Sequence, residues 1–287
     1  MTGLDVREFV DSTPWTDTHE HLIEEATRLR PPVAGSAFHP CEDWAYLLWH
    51  YALDDPTSAG LPDDTRSQFI SSEVDPGEKW ELIAPYYERA ANTAYLRAAR
   101  LSFERVFGLV LGPGTAPEIT RRMQERRRPG FYAEILQLAS VSRCQVNSVE
   151  RTFCETAQPD LLEQDIGLTD FLSPSLARVR DWEAVTGLPI DSLDDLLTAV
   201  DEYFARFGDR AVAVKLGVAY VRPLAVEQHP AKVPAAAFRD WIAGRAIDPA
   251  QSRAIEDLVI DRGMSRAVDH HLPMKIRTGY QVWPTTG

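Results

Sequence analysis

Cysteine is scarce in this sequence. Cys41, Cys144 and Cys154 stand far apart in unrelated contexts. They form neither a disulfide framework nor a CxxC pair, a usage that fits a reducing cytoplasm. No run of about 18 apolar residues occurs, so no membrane partner is expected. The first residues, MTGLDVREFVDS, are acidic and lack an apolar h-region, so no secretory signal is expected either. Positive charge is also short: 30 Lys and Arg face 43 Asp and Glu, a formal net charge of −13. Nucleic-acid binding needs a cationic footprint, and that class of partner is excluded. The one strongly basic stretch, RRMQERRR at 121–128, reads as a solvated helix end. There is no GxSxG, no phosphate-binding glycine loop and no cysteine with an evident histidine partner. Nucleophilic serine or cysteine chemistry therefore has no support. Internal repeats and low-complexity tracts are absent.

What is present is an ordinary globular composition, 44% hydrophobic and 25% charged over 287 residues. That length suits one large α/β domain, 1–287, carrying a substantial insertion. Beyond residue 130 the pattern alternates. FYAEILQLASV reads as helix, SRCQVNSVE and LLEQDIGL as strands, and SLDDLLTAVDEYFARFG as an amphipathic helix. In that helix Leu193, Leu196, Leu197, Val200, Tyr203 and Phe204 recur at helical spacing. AVAVKLGVAYV is a strand, AIEDLVIDRGMSRAVDHH a helix and LPMKIRTGY a strand. Such alternation predicts parallel strands with crossover helices. Residues 33–128 have a different texture. EDWAYLLWHYALDD and KWELIAPYYERAANTAYLRAARLSFERVFG are long helical patterns rich in Trp and Tyr, and they read as a helical insertion after the first strand. Trp44, Tyr46, Trp49 and Tyr51 read as core, with His39 and His50 among them.

Strand side chains alternate between faces. In AVAVKLGVA, Val212, Val214, Leu216 and Val218 suit packing beneath helices. Ala211, Ala213, Lys215, Gly217 and Ala219 form the other face, where a lone lysine among small residues suits a crowded interior that opens onto a site. In TDTHEHL the same alternation puts Asp17, His19 and His21 on one face. Two imidazoles at i and i+2 can converge on one ion from a strand end, and neutral imidazole is a ligand for zinc and its neighbours. The ordinary alternative for an isolated HxH is a pair of exposed loop histidines. Its place at the end of a first strand, with the inward lysine four strands along, favours the metal. His270 and His271 read as a helix C-terminus, where positive charge is favoured. Glu150 and Arg151 follow the second strand and read equally as site residues or as a surface ion pair.

With DTHEHL at 17–22, the aromatic segments EDWAYLLWHYALDD and KWELIAPYYERAANTAY, and then CQVNSVE, VKLGVAYVRPL and LPMKIRTGY, the sequence resembles the amidohydrolase superfamily. Within it, the likeness is to the amidohydrolase-related and uronate-isomerase-like branch. The resemblance implies a (β/α)8 TIM-type barrel in which His19 and His21 bind a divalent metal, zinc or manganese. It places Lys215 where many members use a fourth-strand lysine, sometimes carboxylated. It places Tyr220 and Arg222 where substrate contacts are expected. Two departures stand out. Arg277 occupies the position at which the fifth strand usually carries a ligand histidine. Lys275, Arg277 and Gly279 share a face, so Arg277 points inward, and a guanidinium cannot ligate a metal. The family's eighth-strand aspartate has no counterpart. About five strand–helix units are present, so the barrel is expected to be incomplete, and the ending GYQVWPTTG reads as that of a truncated chain.

The function these residues imply is a metal-dependent hydrolase acting on a small polar, carboxylate-bearing substrate through a metal-activated water. In that reading Lys215 is catalytic, and Tyr220, Arg222 and Arg277 contact substrate, Arg222 through its planar fork. Sugar-acid isomerisation on the same fold is the alternative, and an inactive, metal-poor binding protein is another. The partners expected are a small-molecule substrate and, at most, further copies of the chain as a homo-oligomer.

Overall fold

The five expected strand stretches come together in one parallel sheet. In the computed structural model, which describes residues 5–30, 41–49, 51–172, 176–220 and 222–278, the strands are β1 (Trp15–Glu20), β2 (Val141–Val146), β3 (Leu162–Gly167), β4 (Ala211–Leu216) and β5 (Met274–Ile276). Their spatial order is β1-β2-β3-β4-β5 and every pairing is parallel. Sequential parallel order with covering helices is the arrangement of a half-closed (β/α) barrel.

The chain divides into two compact units, residues 1–24 with 139–287, and residues 25–138. In the first, helices cover one face of the sheet. Leu193–Phe207 starts with a capping box in which Ser192 and Asp195 satisfy each other's backbone N–H groups. Its buried stripe of Leu193, Leu196, Val200, Tyr203 and Phe204 joins Ile166 of β3 and Val214 and Leu216 of β4 in the core. Pro249–Asp269 opens the same way, with Asp248, Gln251 and Pro at its first turn. Its Gly263 admits Leu168, whose methyls lie 2.6 Å from where a Cβ would stand. Two further helices, Leu176–Thr186 and Lys232–Ile242, complete the layer.

Several boundaries differ from the sequence pattern. The expected β4 ran to residue 221, but the strand stops at Leu216. The Gly217 N–H turns to the Thr169 hydroxyl at 2.6 Å, and a short 3-10 turn, Val218–Tyr220, follows. Likewise β2 ends at Val146 and β5 holds three residues.

Residues 25–138 form a helical unit. The two long helices expected there are each broken. Trp44–Leu47 is a 3-10 turn and Tyr51–Ser58 a separate helix, while Pro76–Ala90 and Ala94–Phe107 are parted at 91–93. Trp44 is fully buried, with Phe69, Trp80 and Phe103 around it at centroid distances of 5.4, 6.3 and 6.4 Å. Its indole N–H donates to the Pro76 carbonyl at 2.7 Å. Of the four aromatics expected to be core, Trp44 is buried and Tyr46 packs against this cluster, while Trp49 and Tyr51 are half-buried outside it. His39 and His50 lie outside the described residues. The basic stretch is consumed by local ion pairs: Arg121 and Arg122 with Glu118, Arg126 and Arg128 with Glu134.

One buried charge sits in this unit. Lys79 is wholly inaccessible and its ammonium donates to Asp43, whose other oxygen caps Ala45 N at 2.9 Å. Breaking such a pair leaves an uncompensated charge, at a cost of about 3–5 kcal/mol. Asp43→Ala should therefore lower unfolding stability by about that amount, and the double change Asp43→Asn with Lys79→Met should recover most of it. Equal denaturation midpoints for the wild type and Asp43→Ala would contradict the assignment.

Candidate active site

The site is built on the sheet face opposite the helices, at the C-terminal ends of the strands. β1 is an edge strand, and His19 and His21 at its end are exposed. Their rings meet edge to face with centroids 5.1 Å apart, which brings the two Nε2 atoms to 3.2 Å. Two nitrogens at that separation can each stand about 2.0–2.1 Å from a common point, the usual zinc–imidazole distance. Asp17 accepts the His19 backbone N–H at 2.9 Å, holding the turn of the strand.

Lys215 of β4 reaches the same place. Its side chain is buried and its Nζ lies 3.2 Å from His19 Nδ1. His21 Nδ1 lies 3.1 Å from the Asn147 carbonyl. A carbonyl only accepts, so His21 carries its proton on Nδ1 and turns the Nε2 lone pair toward His19. The contacts then run one way: Lys215 donates to His19 Nδ1, His19 Nε2–H to His21 Nε2, and His21 Nδ1–H to Asn147 O. A metal taking both Nε2 atoms would move the His19 proton to Nδ1, against the lysine.

β3 and β5 add charge to this face. Lys275 places its Nζ 2.9 Å from both oxygens of Asp165, a carboxylate that is almost wholly buried. The pair spans β4, which lies between the two strands. Asp165 is in register with Ala213, and Lys215 with Lys275, so the small Ala213 leaves room for the bridge. Sequence alternation had not paired these two residues. An aspartate within the strand stretch LLEQDIGL was the available signal.

The electrostatics follow. His19 is held below its ordinary pKa by burial and then by the charges of Lys215, Arg277 and Lys275, with Asp17 opposing. Its neutral form is the one that ligates metals. The Lys215 ammonium is lowered by burial and by Lys275 and Arg277, against Asp165. Glu20 is pushed up to about 7 by burial and by the adjoining Asp17 carboxylate, with which it shares a hydrogen bond.

Other expected residues fall elsewhere. Arg222 does not offer its fork to a ligand. It is buried, donates to Glu256 at 2.9 Å, and pairs with Asp257. His229 Nε2 lies 2.9 Å from the same aspartate. The carboxylate-binding role that the resemblance implied for Arg222 is corrected: beyond Leu216 the chain leaves the strand, and the guanidinium is taken up by Glu256 and Asp257. The side chain of Tyr220 lies outside the described residues. Glu150 accepts the Glu24 backbone N–H at 2.9 Å, a local structural contact. His270 caps the end of the Pro249–Asp269 helix. Among the described residues no group of three or more His, Cys, Asp and Glu could hold a metal.

Comparison with known proteins accords with the fold. No family model matches the sequence, and no curated protein matches it. Among solved structures, the chain is similar to a uronate isomerase from Thermotoga maritima, with a TM-score of 0.67 and 14% identity over 96% of this chain and 62% of that one. A uronate isomerase from Bacillus halodurans C-125 gives 0.65 and 14% over 99% and 63%. The chain thus spans less than two thirds of either neighbour's length. At this identity the likeness is one of fold alone, that of an incomplete TIM-type barrel. No helix among the described residues is long and apolar enough to cross a membrane.

The Arg222 cluster yields a prediction about stability. Burial opposes the Asp257 carboxylate, but hydrogen bonds from Arg222, His229 and Glu227 N hold its pKa below the ordinary aspartate value. Its stabilising effect is complete above about pH 4 and is lost as pH falls through the lowered folded value. Asp257→Asn should remove that acid-dependent step, and Arg222→Ala should destabilise the fold by about 3–5 kcal/mol. Denaturant titrations between pH 2 and 7 check both. An Arg222→Ala protein of wild-type stability would refute the structural role.

Proposed function

We propose that the chain carries an active centre of the uronate-isomerase-like branch of the amidohydrolase superfamily, acting on a small polar molecule at the strand C-termini. The observation that carries this reading is the meeting of His19 and His21 at 3.2 Å with Lys215 against His19. The fold likeness supports isomerisation over the metal-water hydrolysis that the motif alone implied. Hydrolysis remains a second reading, favoured by Lys215 lying beside the histidine pair.

The residues fit a divalent ion, zinc or manganese, only in part. Two imidazoles supply two corners of a tetrahedral site. The described residues contribute no third ligand of the usual kinds, and Lys215, Lys275 and Arg277 set positive charge on His19. When bound, such an ion supplies Lewis acidity toward a carbonyl. Lys215, buried and hydrogen-bonded to His19, is the group placed to carry a proton at the reacting atoms. Asp165 holds Lys275, and His21 is oriented by Asn147 O.

Even at an effective dielectric near 20, a unit charge about 5 Å from a dication is repelled by several kcal/mol. Each 1.4 kcal/mol is a factor of about ten in affinity. Zinc binding by this chain should therefore be weak, lost in His19→Ala and at least about tenfold tighter in Arg277→His. Isothermal titration with zinc on the three proteins checks this. Equal affinities in wild type and Arg277→His would place Arg277 away from the ligand position.

A further inference from the structure

The basic stretch at 121–128 is paired but not neutralised. Glu118 accepts hydrogen bonds from both Arg121 and Arg122, and Glu134 from both Arg126 and Arg128. Two carboxylates thus serve four guanidiniums. Glu125 is a third acid, and Arg121 takes it as well, while Arg127 is matched by Glu42. Arg105, near the end of the Ala94–Phe107 helix, has no side-chain partner among the described residues, and its neighbour Glu104 pairs with Arg100. Counting Arg105 with Arg121, Arg122, Arg126 and Arg128, five guanidiniums stand against the three carboxylates Glu118, Glu125 and Glu134. In a protein of net charge −13 this local excess is no by-product of a basic chain. Arg105, Arg121, Arg122 and Arg126 line one cavity of about 470 Å3, in which Glu125 is the single acid. That volume suits a small molecule, whose sites run from about 300 to 1,000 Å3. Every lining residue belongs to the 25–138 unit.

Two of the forks are held in place. The last carbonyls of a helix lack partners within it, and Arg122 Nη1 donates to one of them, Phe107 O, at 2.5 Å. Its Nε donates to Glu118 at 2.8 Å. Arg126 Nη1 donates to Glu134 at 2.8 Å, and its guanidinium lies 5.9 Å from the centre of the buried Phe107 ring. The Nη2 groups of both arginines bond to nothing among the described residues. A fork already held in place loses less freedom when a ligand arrives. We propose that this cavity binds a small phosphate-bearing anion, with Arg105, Arg122 and Arg126 as its donors. Phosphate oxygens are arranged tetrahedrally, so forks from two chain segments can share one group, whereas the two coplanar oxygens of a carboxylate match a single fork. A phosphate monoester also carries about −1.5 to −2 charges near pH 7. The site shares no residue with the histidine pair and does not depend on the function proposed there.

The test titrates inorganic pyrophosphate calorimetrically into the full, metal-free chain at constant ionic strength, with malonate as the carboxylate probe. Pyrophosphate should bind once per chain and more tightly than malonate. Arg105→Gln and Arg126→Gln should each weaken it by about fivefold or more, the loss of roughly 1 kcal/mol or more. Arg105→Gln carries the test if Arg126→Gln does not fold, because Arg105 is exposed and has no side-chain contact among the described residues to lose. Glu125→Gln removes the acid of the wall and should tighten binding by about twofold or more. Arg97→Gln changes an exposed arginine of the same helix that does not line the cavity, and should leave affinity within about a factor of two. Thermal melts show which variants are folded. No pyrophosphate binding, malonate binding as tight, or unchanged binding in Arg105→Gln overturns the proposal. So does a loss in Arg97→Gln as large as that in Arg105→Gln, which would mean diffuse attraction to the surface charge.

Discussion

An ammonium group on the inner face of a parallel sheet needs a carboxylate, and in this protein the carboxylate is two strands away. Lys275 on β5 reaches over β4 to Asp165 on β3. Neighbouring strands lie about 4.8 Å apart, so the span is close to the reach of an extended lysine. It is possible only because the residue opposite Asp165 on β4 is Ala213. Removing one partner of a pair buried this deeply leaves a charge without compensation. The bridge therefore adds an ion pair across three strands already joined by ladder hydrogen bonds and by the packing of Ile166, Val214, Leu216 and Met274, and it leaves Lys215 to face the histidines.

The rest of the site follows from that division of labour. With Lys275 committed to Asp165, the Lys215 amine turns to His19, and a one-way chain of hydrogen bonds leads through His21 to a backbone carbonyl. The His19 imidazole is held below its ordinary pKa by burial and by surrounding cations, which favours the form that ligates metals. The same cations resist a dication.

Much of this was legible in the sequence where a period of two applies. The inward placement of Lys215 and the convergence of His19 and His21 follow from alternation within single strands. The pairing of Asp165 with Lys275 was not legible, because it depends on the register of three strands set by separate crossovers. Arg222 was misplaced for a different reason: the resemblance set it just past β4 as a substrate contact, whereas the chain turns there and its guanidinium pairs with Glu256 and Asp257. The Lys232–Ile242 helix was missed because Pro234 and its run of alanines blur the amphipathic pattern, though Ala237 and Phe238 are fully buried. In the helical unit the aromatic core was visible, while the breaks at 48–49 and 91–93 were not.

The most direct measurement is a nitrogen-15 spectrum of the histidine side chains, recorded as zinc is added to the metal-free chain. The account predicts that His21 is Nδ1-protonated at the outset and that the Nε2 resonances of His19 and His21 move together as the ion binds. Two imidazoles that exchange tautomers freely, and whose Nε2 signals shift independently or not at all, would contradict it.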